Sequence, residues 1–89
     1  MNNLTFADDA WDEYLYWQTQ DKKTLNKINS LLKEIRRTPF AGSGKPEPLK
    51  EDKTGKWSRR INEKDRLVYS IEDGVVIVFQ CRGHYGDRT

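Results

Sequence analysis

The chain has 89 residues, with 16 Lys plus Arg, 14 Asp plus Glu, one His and one Cys. That size predicts one domain over 1–89, and a lone His and Cys exclude both a Cys/His zinc site and an internal disulfide. No apolar run nears the ~18 residues that cross a bilayer, and residues 1–9 lack the pattern of a signal peptide, so a cytoplasmic protein with no membrane partner is expected.

The net charge of +2 hides a pattern. Residues 1–21 carry Asp8, Asp9, Asp12, Glu13 and Asp21 and no Lys or Arg. Residues 22–37 carry six bases against Glu34 alone, and residues 45–66 carry eight bases against five acids. A mixed solvated surface explains such counts in an average domain. A basic patch set against an acidic first helix explains them too, and a polyanion responds to the local field, not to the total.

Leu4 to Phe6 reads as a short opening strand. A helix follows from about Ala7 to Gln18, with Ala7, Ala10, Trp11, Tyr14, Leu15 and Gln18 at three- and four-residue spacings and acids in its first turns. A break at Thr19–Asp21 offers Asp21 as N-cap of a second helix. Leu25, Ile28, Leu31, Leu32 and Ile35 form its apolar stripe, and Pro39 forces the stop. The two helices make an αα-hairpin.

From Pro39 to Lys56, three glycines and three prolines predict a long irregular loop, of a length that is commonly functional in a small domain. Gly42-Ser-Gly-Lys45 lacks the spacing of a phosphate loop, and Pro46 has no N–H to donate. Three strands follow, at Trp57–Ile61, Arg66–Ile71 and Val75–Arg82. A three-residue turn at Glu72-Asp73-Gly74 would set Ile71 opposite Val75 and Tyr69 opposite Ile77. One face would then hold Leu67, Tyr69, Ile71, Val75, Ile77, Phe79 and Cys81 as core. The other would carry Arg66, Val68, Ser70, Val76, Val78, Gln80, Arg82 and, if the strand continues, His84. In the strand before, Trp57 and Ile61 belong with the core, which turns Ser58 and Arg60 outward. The fold class is α+β: two layers, helices on one face and Arg60, Arg66, Arg82 and His84 on the open one.

Guanidinium groups suit phosphodiesters because they bind phosphate oxygens in pairs. RNA cleavage through the 2′-hydroxyl requires no metal or other cofactor, only a base for that hydroxyl and an acid for the 5′ oxygen. One histidine cannot fill both roles at once. Glu47, stiffened between Pro46 and Pro48, is the candidate partner of His84. Each signal also has a plain explanation: a surface histidine, a solvated glutamate, arginines that protect a sheet or bind an acidic partner. Cys81 has core parity and reads as an inert small hydrophobe. Taken alone, these residues fit a nucleic-acid-binding module better than a ribonuclease.

The chain also resembles the YoeB toxins of bacterial type II toxin–antitoxin systems, in the RelE/ParE superfamily. The resemblance runs from Trp11 to Tyr85 through WDEYLYWQ at 11–18, RRTPF at 36–40, GKPEPLK at 44–50, WSRRI at 57–61, RLVYSI at 66–71 and CRGHY at 81–85. It implies a RelE-like, microbial-RNase-like fold, with an N-terminal strand and αα-hairpin on one face of a mainly antiparallel sheet. It implies a ribosome-dependent endoribonuclease that cuts messenger RNA in the A site. It also implies neutralisation by a YefM-like antitoxin, operator DNA binding only as the toxin–antitoxin complex, and a homodimer. By motif, Glu47 corresponds to the general base, Lys50 to a phosphate contact, Arg60 and Arg66 to the arginines at the reacting phosphate, His84 to the general acid and Tyr85 to a substrate-positioning residue. Arg82 is expected to touch the RNA backbone without being a catalyst. Two departures stand out: Gly83 replaces a common aromatic, which leaves His84 more loosely placed, and residues 86–89 form a short C-terminal extension. The alternatives are a ParE-like inhibitor of DNA gyrase without ribonuclease activity, and a non-catalytic nucleic-acid or antitoxin adaptor.

Overall fold

Val and Ile crowd the stretch 68–78, and an apolar helical stripe runs through 25–35. The computed structural model describes residues 2–7 and 9–84, so Tyr85 and the 86–89 extension lie outside it. Its elements are β1 (Asn3–Phe6), α1 (Ala10–Gln20), α2 (Lys22–Ile35), β2 (Glu47–Pro48), β3 (Trp57–Arg60), β4 (Arg66–Glu72) and β5 (Val75–Gln80), with one 3-10 turn at Glu51–Lys53. The sheet order is β1-β5-β4-β3-β2. β1 runs parallel to β5, and every other neighbour is antiparallel. This is the expected α+β architecture, with the helices on one face of a five-stranded mixed sheet.

The αα-hairpin turns on one residue. Asp21 is extended (φ −159°), closes α1 and caps α2, its carboxylate accepting from the N–H groups of Lys23 and Thr24. The Thr24 hydroxyl adds a 2.7 Å bond, and these bonds lower the Asp21 pKa, the hydroxyl most. The expected stripe of α2 is buried at Ile28, Leu31, Leu32 and Ile35. The face of α1 differs from the predicted one. Ala10, Glu13 and Trp17 are buried, whereas Trp11 and Leu15 are 50% and 40% exposed. The cause lies across the core: Glu13 Oε1 accepts the Cys81 N–H at 2.8 Å, and Trp17 Nε1 donates to the Cys81 carbonyl at 2.8 Å. A buried glutamate bonded to a backbone amide looks like a polar position in an apolar pattern, so periodicity selects the neighbouring stripe.

The β4–β5 hairpin also corrects its prediction. Glu72 pairs with Val75, so the turn has two residues, with Asp73 at φ 50° and Gly74 at φ 76°. An Asp-Gly pair in this conformation matches the twist of the strands it joins. Ile71 faces Val76 and Tyr69 faces Val78. Val76 and Val78 are therefore core, and Val75, Ile77 and Phe79 lie on the other face. A bulge then restores the expected parity: Val68 pairs with Gln80, which skips Phe79 and returns Cys81 to the core. The face away from the helices is also less bare than expected, because Ser58, Val68, Ser70 and Gln80 are buried. The long loop is not wholly irregular, since Glu47 and Pro48 pair with Ser58 and Trp57. Proline is tolerated there because β2 is an edge strand.

The start of that loop is held by Arg59, which points to the helix side and is fully buried. Its Nη1 contacts Glu34 Oε1 at 2.6 Å and the Ser43 carbonyl at 3.0 Å; Nη2 donates to the carbonyls of Thr38 and Ala41 at 2.8 Å; Nε donates to the Tyr69 hydroxyl at 3.1 Å. Tyr69 in turn donates to the Pro39 carbonyl at 2.6 Å. The Ser43 N–H, and after it the Arg59 guanidinium, hold the Glu34 carboxyl below its ordinary value of 4.5. A depressed carboxyl pKa stabilises the fold above the unfolded value, and that contribution is lost as pH falls through the folded value. Denaturant titrations from pH about 7 to about 3 are expected to show a shallower loss of stability in Glu34→Gln than in the parent chain. An identical acid limb in both would refute this.

Candidate functional site

Antiparallel partners directly across a ladder share a face. Glu47 pairs with Ser58, Ser58 with Val68, and Val68 with Gln80. The row crosses four strands, and at about 4.8 Å per strand it spans about 14 Å of backbone from Glu47 to Gln80. One step along, Arg60 pairs with Arg66. Glu47, Arg60 and Arg66 therefore share the sheet face turned away from the helices, as expected for the two arginines. β3 sets Arg60 by alternation with the inward Trp57 and Arg59. The edge pairing of β2 sets Glu47.

Like charges directly opposite on a sheet are unfavourable. The Arg60–Arg66 pair is thus suited to an anion that lies between the two groups. Arg60 is exposed and Arg66 half-buried. Arg66 Nη1 donates to the carbonyls of Asn62 at 2.7 Å and Asp65 at 3.1 Å, which braces the guanidinium over the β3–β4 turn. The Arg60 N–H donates to the Gly44 carbonyl at 2.7 Å and so ties the Glu47 loop to β3. Glu47 and Lys50 are exposed and line the same surface concavity of about 360 Å³, formed by residues 47–53. Lys50 N-caps the 3-10 turn with an extended backbone.

His84 does not lie on the predicted strand extension but on a turn beyond β5. β5 ends at Gln80, after which Cys81 is bracketed by Glu13 and Trp17 of α1. The Gly83 carbonyl accepts the Arg66 N–H at 2.9 Å and Gln80 Nε2 at 2.9 Å, and the Gly83 N–H donates to Asp65 Oδ1 at 2.8 Å. Gly83 has φ 82°, a left-handed turn that glycine adopts without strain. The looseness expected of Gly83 is therefore corrected: the residue before His84 is bonded on both sides and sits beside Arg66. His84 itself is half-buried.

Arg82 does not join the arginine pair. Its guanidinium lies 3.6 Å over the Tyr16 ring, on the α1 side, because the alternation that assigned it to the open face stops with β5. Tyr85 lies outside the described residues. Burial, and then the Asp65 charge, push the Cys81 thiol up to about 12, in keeping with an inert core cysteine. Sequence reasoning missed Glu13, Asp65 and Gln80. Its one available signal was Gln80, a long amide in an otherwise apolar strand. Among the described residues no group of three or more His, Cys, Asp or Glu side chains is arranged for a metal ion, and no helix is long and apolar enough to cross a membrane.

The arrangement is a cation pair with a carboxylate on the same face, and with His84 directly after the Gly83 carbonyl that accepts the Arg66 N–H. It can bind a phosphodiester and move protons to and from its oxygens.

The model of a family described as the YoeB-like toxin of bacterial type II toxin–antitoxin systems matches residues 6–85. The chain is 54% identical over 82 residues to Toxin YoeB of Escherichia coli K12, covering 92% of this chain and 98% of that one. The YoeB chain of a heterotetrameric YoeB–YefM toxin–antitoxin complex from Staphylococcus aureus superposes with a TM-score of 0.87 at 46% identity, over 96% of this chain and 99% of that one. A YoeB dimer from the same species gives 0.85 at 47% identity, over 94% and 98%.

Proposed function

The chain belongs to the family of YoeB-like toxins of bacterial type II toxin–antitoxin systems, and from that premise we propose that it is a ribosome-dependent endoribonuclease that cleaves messenger RNA in the A site. The observation that carries the reading is the Arg60–Arg66 cross-strand pair, with Glu47 on the same face and His84 one residue beyond an atom bonded to Arg66.

The reaction is an internal transesterification. Glu47 takes the proton of the 2′-hydroxyl, whose oxygen attacks the adjacent phosphorus. Arg60 and Arg66 stabilise the charge that builds on the crowded phosphorus, and Lys50 holds a neighbouring phosphate. The bond to the 5′ oxygen breaks as His84 protonates that oxygen. Tyr85 positions the substrate, and Arg82, stacked on Tyr16, meets the RNA backbone at the rim. The products are a 2′,3′-cyclic or 3′-phosphate and a 5′-hydroxyl. The nucleophile is part of the substrate, so the scheme requires no cofactor.

The same cationic face fits an acidic segment that folds as it binds. A YefM-like antitoxin is the proposed neutralising partner, in line with the complexed relative. The proposal extends to a homodimer, to operator DNA binding only as the toxin–antitoxin complex, and to the cytoplasm as the place of action. Mapping messenger 5′ ends from translating ribosomes tests the function. New ends within A-site codons are expected only when the protein is present. Intact messenger beside broken DNA would select a gyrase inhibitor instead, and intact messenger and DNA a non-catalytic adaptor.

A further inference from the structure

The Gln80 amide is 5% exposed, in a strand otherwise apolar on both faces. Its Nε2 donates to two successive main-chain carbonyls, Arg82 at 3.1 Å and Gly83 at 2.9 Å. Asp65, 2% exposed, approaches the same peptide from the β3–β4 turn, just before β4. Its Oδ1 takes the Gly83 N–H at 2.8 Å, and its Oδ2 takes Asn62 Nδ2 at 2.9 Å. Burying a carboxylate and a primary amide is costly unless each finds partners. Here Gln80 directs both of its bonds, and Asp65 one of its two, to the turn that leads into His84. The Arg66 N–H completes the set on the Gly83 carbonyl. A turn could be closed with less, since a bulge and a glycine suffice to bend the chain.

We infer that Gln80 and Asp65 are positioning residues that aim His84 at the reacting phosphate by holding the Gly83 peptide from both sides. The inference rests on the reading of His84 as the general acid. A side chain two bonds beyond a clamped peptide inherits its position, and a misplacement of about 1 Å at a reacting group costs on the order of 100-fold in rate. The pair acts on orientation, so its loss falls on the rate of the bound complex and not on binding.

Gln80→Met tests this because it keeps the volume and removes both donors. The chain has one histidine, so its ring resonances are read without overlap. In Gln80→Met, with cooperative melting retained, three changes are expected together. The His84 ring signals move toward those of a disordered histidine, and the Gly83 amide exchanges roughly 10-fold faster. The single-turnover cleavage constant on saturating ribosomes falls about 10- to 100-fold, while the half-saturating concentration stays within about twofold. Asp65→Ala, which releases the peptide from the other side, gives the same pattern and serves where Gln80→Met does not fold. Gln80→Met combined with His84→Gln is expected to cleave no more slowly than His84→Gln alone. A further drop in that double variant, or a loss confined to half-saturation, overturns the inference. Wild-type cleavage by Gln80→Met beside an inactive His84→Gln overturns the clamp alone. Wild-type cleavage by His84→Gln overturns the acid assignment and the clamp with it.

Discussion

His84→Gln and Glu47→Gln are each expected to cut messenger cleavage about 100- to 10,000-fold, the usual effect of losing a placed acid or base, with the fold intact. Both replacements keep hydrogen-bonding capacity and remove proton transfer. Glu47 is exposed on an edge strand of two residues, so the sheet does not depend on its charge. His84 lies beyond β5, with its turn closed by other groups. The loss is expected in single-turnover cleavage on ribosomes, beside an unchanged melting curve. Full cleavage by either variant would remove that residue from the mechanism. Because acid and base act in one step, the double variant is expected to fall well short of the product of the two losses.

Arg59→Met is the second large effect, on stability instead of chemistry. Arg59 is fully buried and makes five contacts: to Glu34, the Tyr69 hydroxyl, and the carbonyls of Thr38, Ala41 and Ser43. Methionine keeps the aliphatic stem but leaves the carbonyls of Thr38, Ala41 and Ser43 without the guanidinium, while Glu34 keeps the Ser43 N–H. Leaving a buried hydrogen-bonding group without its partner costs about 1–3 kcal/mol, and Arg59 serves several such groups, against a total of roughly 5–13 kcal/mol for a domain this long. A fall in melting temperature of about 15 °C or more is therefore expected. Arg59→Lys keeps the charge but not the planar fork, so it recovers only part of the loss. A melting temperature within a few degrees of the parent's in Arg59→Met would show that the loop is held by other means. Arg59 stands next to Arg60, yet the one is a fastener and the other faces the site, an assignment set wholly by strand alternation.

Where local chemistry decides, the sequence is readable. The stripe of α2, the Asp21 cap, the inward positions of β4 and the outward Arg60 and Arg66 all follow from periodicity and capping. Where a distant partner decides, it is not. Glu13 is core because an amide 68 positions away bonds it. The parity of β5 was legible only as a sum of a two-residue turn and a bulge, and a three-residue turn gives the same answer at Cys81. The site divides in the same way. Its arginine pair could be read from the strands, but the alignment of Glu47 depends on a two-residue edge pairing. The approach of His84 depends on Asp65, which nothing in the local pattern distinguishes from a turn residue, and on Gln80, whose one signal is a long amide in an apolar strand.

The strand order has a consequence for synthesis. β5 lies between β1 and β4, yet it leaves the ribosome after the other four strands. Until residues 75–84 have been made, β1 has no neighbour to pair with, α1 has no Cys81 backbone to grip, and Arg66 has no Gly83 carbonyl to bond. Such long-range closure is the slow kind, since the loop must be ordered before any contact repays it. The face of Glu47, Arg60 and Arg66 is built from β2, β3 and β4, but His84 and the turn that holds it follow only after β5. Completion of the sheet and delivery of His84 are thus one event, the making of β5 and the turn beyond it.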